Sequence, residues 1–200
     1  MRIAWLGGSS FYATAAGRTV CMNPAADTCP GDGLATFSGA TTAPTAEGVF
    51  IIDGPGEYEV DGVFVVAVAA ADATGQPCIV YSIRLGDVAV CHIGEAGASL
   101  SEQDLEDIGT IDVLLVPVGP SEGGGDGQTT AADIVHAVEP ALVVPWFGAT
   151  EAGARALEHF LKEMAIDTPE GVAALEVNPL RLPDETQVRV LTPTSAADRA

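Results

Sequence analysis

Positively charged residues are scarce in this chain. Eight lysines and arginines stand against 28 aspartates and glutamates among 200 residues, which gives a formal net charge of −20 at pH 7. Lys162 is the single lysine. Because nucleic acids and anionic membranes are bound by clustered positive charge, we expect neither as a partner. The acidic surface fits two explanations, which are solubility and a high-salt environment that screens self-repulsion.

Long apolar runs are also missing. No run in the sequence approaches the roughly 20 residues that span a bilayer, and the apolar stretch 3–6 is too short for the core of a signal peptide. We therefore expect a cytoplasmic protein. Hydrophobic residues still make up 48% of the chain, enough for one domain with a sizeable core. We place this domain at residues 1–194 and expect a flexible tail at 195–200.

The four cysteines do not have the spacing of a metal or redox site. The chain contains no Cys-x-x-Cys pair, and Cys91 adjoins His92 outside any zinc-ligand pattern. In a cytosolic chain we expect reduced thiols. The sequence leaves open whether Cys21 and Cys29 pair.

Strand patterns dominate the first half of the chain, and helices alternate with strands in the second half. The first half predicts strands at 2–6, 11–15, 18–22, 34–37, 49–52, 58–60, 63–68, 78–84 and 88–93. The second half predicts strands at 113–118, 141–145 and 188–191 and helices at 102–108, after Thr129 or Thr130, and at 152–164. This order fits a layered α/β sandwich.

Glu57, Tyr58 and Glu59 follow a Gly-Pro-Gly turn and lead into the predicted strand 58–60. In a strand the two glutamates would lie on one face and Tyr58 on the other. Two neighbouring acids permit acid–base chemistry. The pattern favours a solvated strand edge instead.

Several motifs carry a family resemblance in matching order. They are Ile-Ala-Trp-Leu-Gly-Gly-Ser-Ser at 3–10, Val-Cys-Met-Asn-Pro at 20–24, Ile-Asp-Gly-Pro-Gly-Glu-Tyr-Glu-Val at 52–60, Val-Cys-His-Ile-Gly-Glu at 90–95, Asp-Val-Leu-Leu-Val-Pro-Val-Gly at 112–119 and Val-Val-Pro-Trp-Phe at 143–147. Over residues 1–192 the chain resembles the metallo-β-lactamase-fold hydrolases, in particular the small bacterial branch related to ascorbate-6-phosphate lactonase. The resemblance implies an α/β fold, a four-layer αββα sandwich. It also implies an edge site where His and Asp hold one or two divalent metals that activate water.

The metal ligands that the resemblance implies are replaced in this chain. The positions that match the family's His-x-His-x-Asp-His cluster are Gly39, Thr41, Ala43 and Pro44. The remaining positions are Gly8 and Ala71 for two histidines, Asn23 for an aspartate, Phe147 for the last ligand and Glu95 for the bridging aspartate. Since nearly the whole set of imidazole and carboxylate donors is gone, we predict that the family's zinc or other divalent metal is lost as a cofactor. We also predict no catalytic residue.

Five residues remain candidates for a vestigial pocket: Asp72, His92, Glu95, Trp146 and Phe147. The matching histidine of the intact family is not a ligand, so we interpret His92 as structural. Glu95 is the one carboxylate retained at a ligand position. Trp146 and Phe147 either plug the former site or line an apolar pocket, and the sequence leaves both open.

Three functional hypotheses follow. The preferred one is a metal-free, inactive protein that uses the sandwich as a scaffold to bind a protein or a small molecule. The alternative is a hydrolase of the lactone, ester or phosphoester class with a relocated or reduced metal site built from Asp72, His92 and Glu95. The third is a subunit of a homo-oligomer or of a complex whose partner carries the function.

Overall fold

The structure, a computed structural model, describes residues 1–26, 28–39, 47–72, 74–96, 100–119 and 130–194. They contain two β-sheets, three α-helices and a short 3-10 helix at Pro179–Arg181. In chain order the elements are β1 (Arg2–Gly7), β2 (Ser10–Ala15), β3 (Arg18–Met22), β4 (Leu34–Thr36), β5 (Phe50–Ile52), β6 (Gly56–Val60), β7 (Val63–Ala71), β8 (Pro77–Leu85), β9 (Val88–His92), α1 (Glu102–Ile108), β10 (Val113–Pro117), α2 (Ala131–Val138), β11 (Leu142–Trp146), α3 (Glu151–Glu163), β12 (Ala174–Glu176) and β13 (Gln187–Val188). The predicted tail at 195–200 lies outside the described residues, and the single domain at 1–194 stays a prediction.

The strands form two mixed sheets that pack face to face. The first has six strands in the order β12-β1-β2-β3-β4-β5, and the second has seven in the order β13-β11-β10-β9-β8-β7-β6. Strand β1 pairs antiparallel with β12, so a segment near residue 175 completes the sheet that the N-terminus begins. The α/β sandwich of the metallo-β-lactamase type is therefore confirmed.

The side chains of the central strands point alternately into two separate apolar cores. In β10, Val113 and Leu115 face the core between the sheets, while Leu114 and Val116 face the core beneath the helices. All four side chains are fully buried. Side chains of a strand alternate between its two faces, so the unbroken apolar run predicts burial on both faces, as observed.

The three helices cover the outer face of the seven-stranded sheet. Ile108 of α1, Ile134 of α2 and Phe160 of α3 pack into the core beneath them. Ser101 caps α1 as predicted, and of the two candidate caps of α2 it is Thr130 that accepts from the backbone of the third helical residue.

The outer face of the six-stranded sheet is covered differently. No helix occurs in the described parts of residues 1–96. A small cluster of Cys21, Cys29, Ala35 and Phe37 packs there instead, with Val49 at its margin. Cys21 and Cys29 form a disulfide, so the expectation of reduced thiols was wrong for this pair. Cys78 and Cys91 are free and buried.

Two strand predictions need correction near the C-terminus. Strand β12 was not predicted, because its three residues form an element only through pairing with β1. The strand predicted at 188–191 ends at Val188, although the Arg189 N–H still donates to Val143 O. Beyond it Leu191 pairs with Val172 in an isolated bridge.

Candidate functional site

The carboxyl ends of several strands meet at one edge of the sandwich. In the first sheet β1, β3 and β4 run in one direction, because β3 and β4 are parallel and β2 is antiparallel to both β1 and β3. In the second sheet β9, β10 and β11 are parallel. The Ile79 N–H donates to Ser38 O across the sheets at 2.8 Å, which joins the two sets of strand ends. We call this region the site edge.

His92 is fully buried at the end of β9. Its Nε2 lies 3.0 Å from Ser9 O, and because a carbonyl only accepts, Nε2 is the donor. Phe11 meets the ring edge-on at a centroid distance of 6.0 Å. Burial lowers the pKa of His92 from 6.5 to about 4. Nδ1 has no hydrogen-bond partner among the described residues.

Asn23 ties two strand-end loops together. Its Nδ2 donates to Ser9 Oγ at 3.0 Å and to Ser38 Oγ at 2.6 Å. Its Oδ1 accepts from the Ser38 N–H at 2.7 Å. The backbone of Asn23 is left-handed, with φ 47°, a conformation that asparagine tolerates better than most residues. At a position where the family resemblance implies a catalytic-site aspartate, this chain has a hydrogen-bonded clamp.

Sequence reasoning missed the partners in this clamp. Ser9 and Ser38 lie 14 and 15 residues from Asn23 along the chain. Gly94 completes the arrangement, because a Cβ at this position would overlap the Ser38 side chain. The available signal was an Asn-Pro pair directly after a strand, which is typical of a turn residue with a left-handed backbone.

Asp72 and Glu95 lie near each other in the backbone but have different surroundings. Asp72 forms an isolated bridge with Ala96, the neighbour of Glu95. Its Oδ1 accepts from Thr74 Oγ1 at 2.7 Å, the Thr74 N–H at 2.8 Å and the Gln76 N–H at 2.9 Å. These bonds, that from the Thr74 hydroxyl first, lower the pKa of Asp72. The carboxylate therefore organises its own turn, while Glu95 is exposed.

The aromatic residues at the end of β11 pack against the core between the sheets. The Phe147 ring lies 5.2 Å from that of Trp5, centroid to centroid. Trp5 in turn stacks on Phe11 at 6.3 Å, so a row of aromatic contacts leads from Phe147 to His92. Trp146 Nε1 is buried and has no partner among the described residues. These contacts favour packed side chains at this position over the lining of an open pocket.

The donor set does not fit the metal that the resemblance implies. Of the three histidines in the chain, His136 and His159 are exposed on α2 and α3, and His92 is bonded to Ser9. Gly39 is described, whereas Thr41, Ala43 and Pro44 lie outside the described residues. Within the part that the structure describes, no group of three or more His, Cys, Asp or Glu is placed to hold a metal ion.

That finding bears on the relocated site of the alternative hypothesis. Asp72, His92 and Glu95 all belong to the site edge, but the described geometry does not bring them together as a ligand set. The five-residue vestigial pocket stays a prediction.

Comparison with known proteins places the chain in a family. A family model for the beta-lactamase superfamily domain matches residues 2–146. Among solved structures, a Thermotoga maritima protein assigned as a zinc-dependent hydrolase of the metallo-β-lactamase superfamily superimposes with a TM-score of 0.73. The two are 27% identical over 95% of this chain and 97% of that one. Comparison with curated proteins gave no match.

More distant structures share the fold alone. The metallo-β-lactamase fold protein YhfI of Bacillus subtilis has a TM-score of 0.59 and 6% identity over 94% of this chain and 95% of its own. The short form of human tRNase Z has a TM-score of 0.58 and 8% identity over 89% of this chain and 100% of its own. No helix in the described residues is long and apolar enough to cross a bilayer. Since the family model covers well over half of the sequence, this chain belongs to the β-lactamase superfamily.

Proposed function

We propose that this chain is a metal-free, non-catalytic member of its superfamily that acts as a binding or scaffold module for a protein or a small molecule. The observation that carries the proposal is the replacement of implied ligands by side chains that cannot bind a metal, such as Gly39 and Phe147, with no regrouped ligand set in the described residues. His92, the one histidine at the site edge, is fully buried and donates from Nε2 to Ser9 O. Its Nδ1 has no partner among the described residues, but a metal site needs several donors around one centre, and the described residues do not group them there.

Hydrogen bonds and aromatic packing occupy the site edge. Asn23 holds Ser9 and Ser38, and Phe147 packs on Trp5. A hydrolase of this family needs an electrophile to approach a metal-bound water, which requires an open cleft at the strand ends. The packing of this edge supports a role for the outer surface of the sandwich rather than for its former site.

Metal content tests the proposal. The protein is expressed with added zinc, manganese and iron, desalted and examined by elemental analysis, with the Thermotoga maritima protein prepared in parallel as a control. We expect near-zero metal in this chain. About one or two ions per chain, the content of catalytic sites in this chemistry, would overturn the proposal.

The second candidate is a metal-dependent hydrolase of the lactone, ester or phosphoester class with a reduced site. It is favoured by the 27% identity to a protein assigned as a zinc-dependent hydrolase and by the backbone bridge that brings Asp72 beside Glu95. This candidate predicts bound metal that the double variant D72A/E95A loses. The matched variant E158A/E170A removes two exposed carboxylates elsewhere and should leave any metal in place.

A further inference from the structure

Two edge strands, one in each sheet, follow one another along the chain. Strand β5 ends the six-stranded sheet and β6 ends the seven-stranded sheet, and in the described residues no strand pairs with the outer side of either. A short turn, 53–55, connects them. Arg18 of the first sheet forms an ion pair with Asp61, which follows β6, at 3.2 Å. We call residues 50–52 and 56–60 together the β5–β6 edge.

Exposed apolar side chains concentrate around this edge. Five large hydrophobic residues are exposed in the described residues, and three of them lie here: Phe50 at 48%, Ile51 at 41% and Phe64 at 53%. Phe64 lies on β7 directly opposite Glu59 of β6. The three do not share one face. Phe50 is in register with Leu34 and lies on the side of the core between the sheets, whereas Ile51 and Phe64 lie on the opposite outer faces of the two sheets. Phe50 is therefore the one that shares the inner side with Tyr58 and Val60 of β6.

The charged side chains of β6 have one sign, while Arg84 of β8 lies on the same face two strands further in, opposite Phe64. Glu57 and Glu59 point to the outer face of β6 and are exposed, as the sequence pattern predicted. Tyr58 and Val60 alternate with them and pack against the core between the sheets. Arg18, at the same end, is already paired with Asp61. An incoming strand would therefore meet acidic side chains on one face and apolar ones on the other.

We propose that the β5–β6 edge binds an extended, basic segment of a partner protein, which adds to β6 as a further strand. Neighbouring strands place side chains side by side on each face. Lysine or arginine at alternate positions would contact Glu57 and Glu59, and apolar residues between them would cover Tyr58 and Phe50. The inference rests on the proposed function, because it names the partner of the binding module.

A second copy of this chain is a poor occupant of the same edge. Pairing two β6 strands would bring Glu57 and Glu59 of one copy against those of the other, and like charges opposite each other destabilise a strand pair. Each copy also carries a formal net charge of −20. Charge complementarity therefore selects a basic partner.

Two labelled peptides of equal composition test the inference by fluorescence anisotropy. One is the alternating peptide acetyl-Lys-Val-Lys-Val-Lys-Val-Lys-amide, and the other has the block order Lys-Lys-Lys-Lys-Val-Val-Val. We expect the alternating peptide to bind at least roughly tenfold more tightly, because only it places charge and apolar groups on opposite faces of a strand. Equal affinity for the two peptides, or no binding of either, would overturn the inference.

Matched variants locate the binding surface. The double variant E57Q/E59Q should lower the affinity for the alternating peptide by roughly tenfold. The double variant E158Q/E170Q removes the same charge from exposed positions elsewhere and should change this affinity by less than about twofold. Equal weakening by both pairs would mean attraction by net charge alone and would overturn the inference. Metal analysis of the same preparations separates the two proposals: metal-free protein that fails to discriminate the peptides overturns only this inference, whereas bound metal overturns the proposed function.

Discussion

The His92 ring donates from Nε2 to the backbone carbonyl of Ser9, 3.0 Å away, and so links the end of β9 to the turn between β1 and β2. The bond joins the two sheets at the edge where the superfamily's chemistry is expected. It fixes the neutral tautomer in a site that excludes solvent. The stability of the fold should therefore depend on the protonation state of this residue.

Stability should decrease on acidification through the titration of His92. Its pKa is about 4 in the folded chain against 6.5 ordinarily, so between these values the unfolded chain binds more protons. The contribution of His92 is fully present above pH 6.5 and is lost as the pH falls to 4, by about 3 kcal/mol in the free energy of unfolding. Urea unfolding at several pH values measures it. H92F should flatten the curve between pH 6.5 and 4.5, and an unchanged slope would contradict the prediction.

Removing the Asn23 side chain should destabilise the site edge. N23A loses the bonds to Ser9 and Ser38 and leaves Ser38, which is buried, without its partner. We expect a loss of about 2–3 kcal/mol. N23G loses the same bonds but accepts the left-handed backbone, so it should recover about 1 kcal/mol of that loss. Chemical denaturation of the three proteins separates the two effects, and equal stability of N23A and wild type would refute the clamp.

Close packing between Gly94 and Ser38 predicts a difference between two glycine substitutions. Gly94 and Gly86 share φ 63°, but a Cβ at Gly94 would overlap Ser38, whereas a Cβ at Gly86 meets nothing within 4 Å. G86A should lower the free energy of unfolding by about 1 kcal/mol, because alanine is strained in the left-handed backbone conformation. G94A should cost about 3 kcal/mol, because the overlap adds to the same backbone term. Thermal unfolding of both variants tests this, and similar losses would show that the strand ends relax freely.

Breaking the Cys21–Cys29 disulfide should loosen the outer face of the six-stranded sheet. The bond closes a loop with a sequence separation of 8. A loop of this size predicts a loss of about 2–3 kcal/mol in unfolding free energy on reduction. Denaturation with and without a phosphine reductant measures it, and the double variant C21S/C29S should be insensitive to the reductant. Alkylation in denaturant followed by mass spectrometry should find Cys21 and Cys29 protected before reduction, and alkylation of both would contradict the pairing.

Periodicity predicted most of the fold because most strands carry their own burial pattern. The apolar run in β10 and the Ser101 cap of α1 are local signals, and both were recovered at nearly the right residues. Strand β12 could not be predicted from the sequence, because its three residues become a strand only when β1 lies beside them. The disulfide was left open for the same reason, since pairing depends on how the 23–33 loop folds back.

The sequence predicted which metal ligands are replaced at the site, but not which hydrogen bonds the replacing residues form. Aligned motifs showed that Asn23 stands where the family resemblance implies an aspartate, but they gave no indication that Ser9 and Ser38 converge on it. Those partners lie on different strand ends, so only the assembled sheets bring them within hydrogen-bond distance. The alternation of Glu57, Tyr58 and Glu59 was predictable, because one strand determines it alone.

The pairing of β1 with β12 determines where the chain can be shortened. Met1 and Val177 exchange backbone hydrogen bonds, and the Thr194 N–H donates to Trp5 O, so residues 174–177 and Thr194 hold the first strand. The family match ends at residue 146, well before these contacts. A fragment cut at that boundary would expose the outer backbone of β1 as a free edge and lose α3. Such a fragment should aggregate through that edge, although it would retain all of the residues that the family model matches.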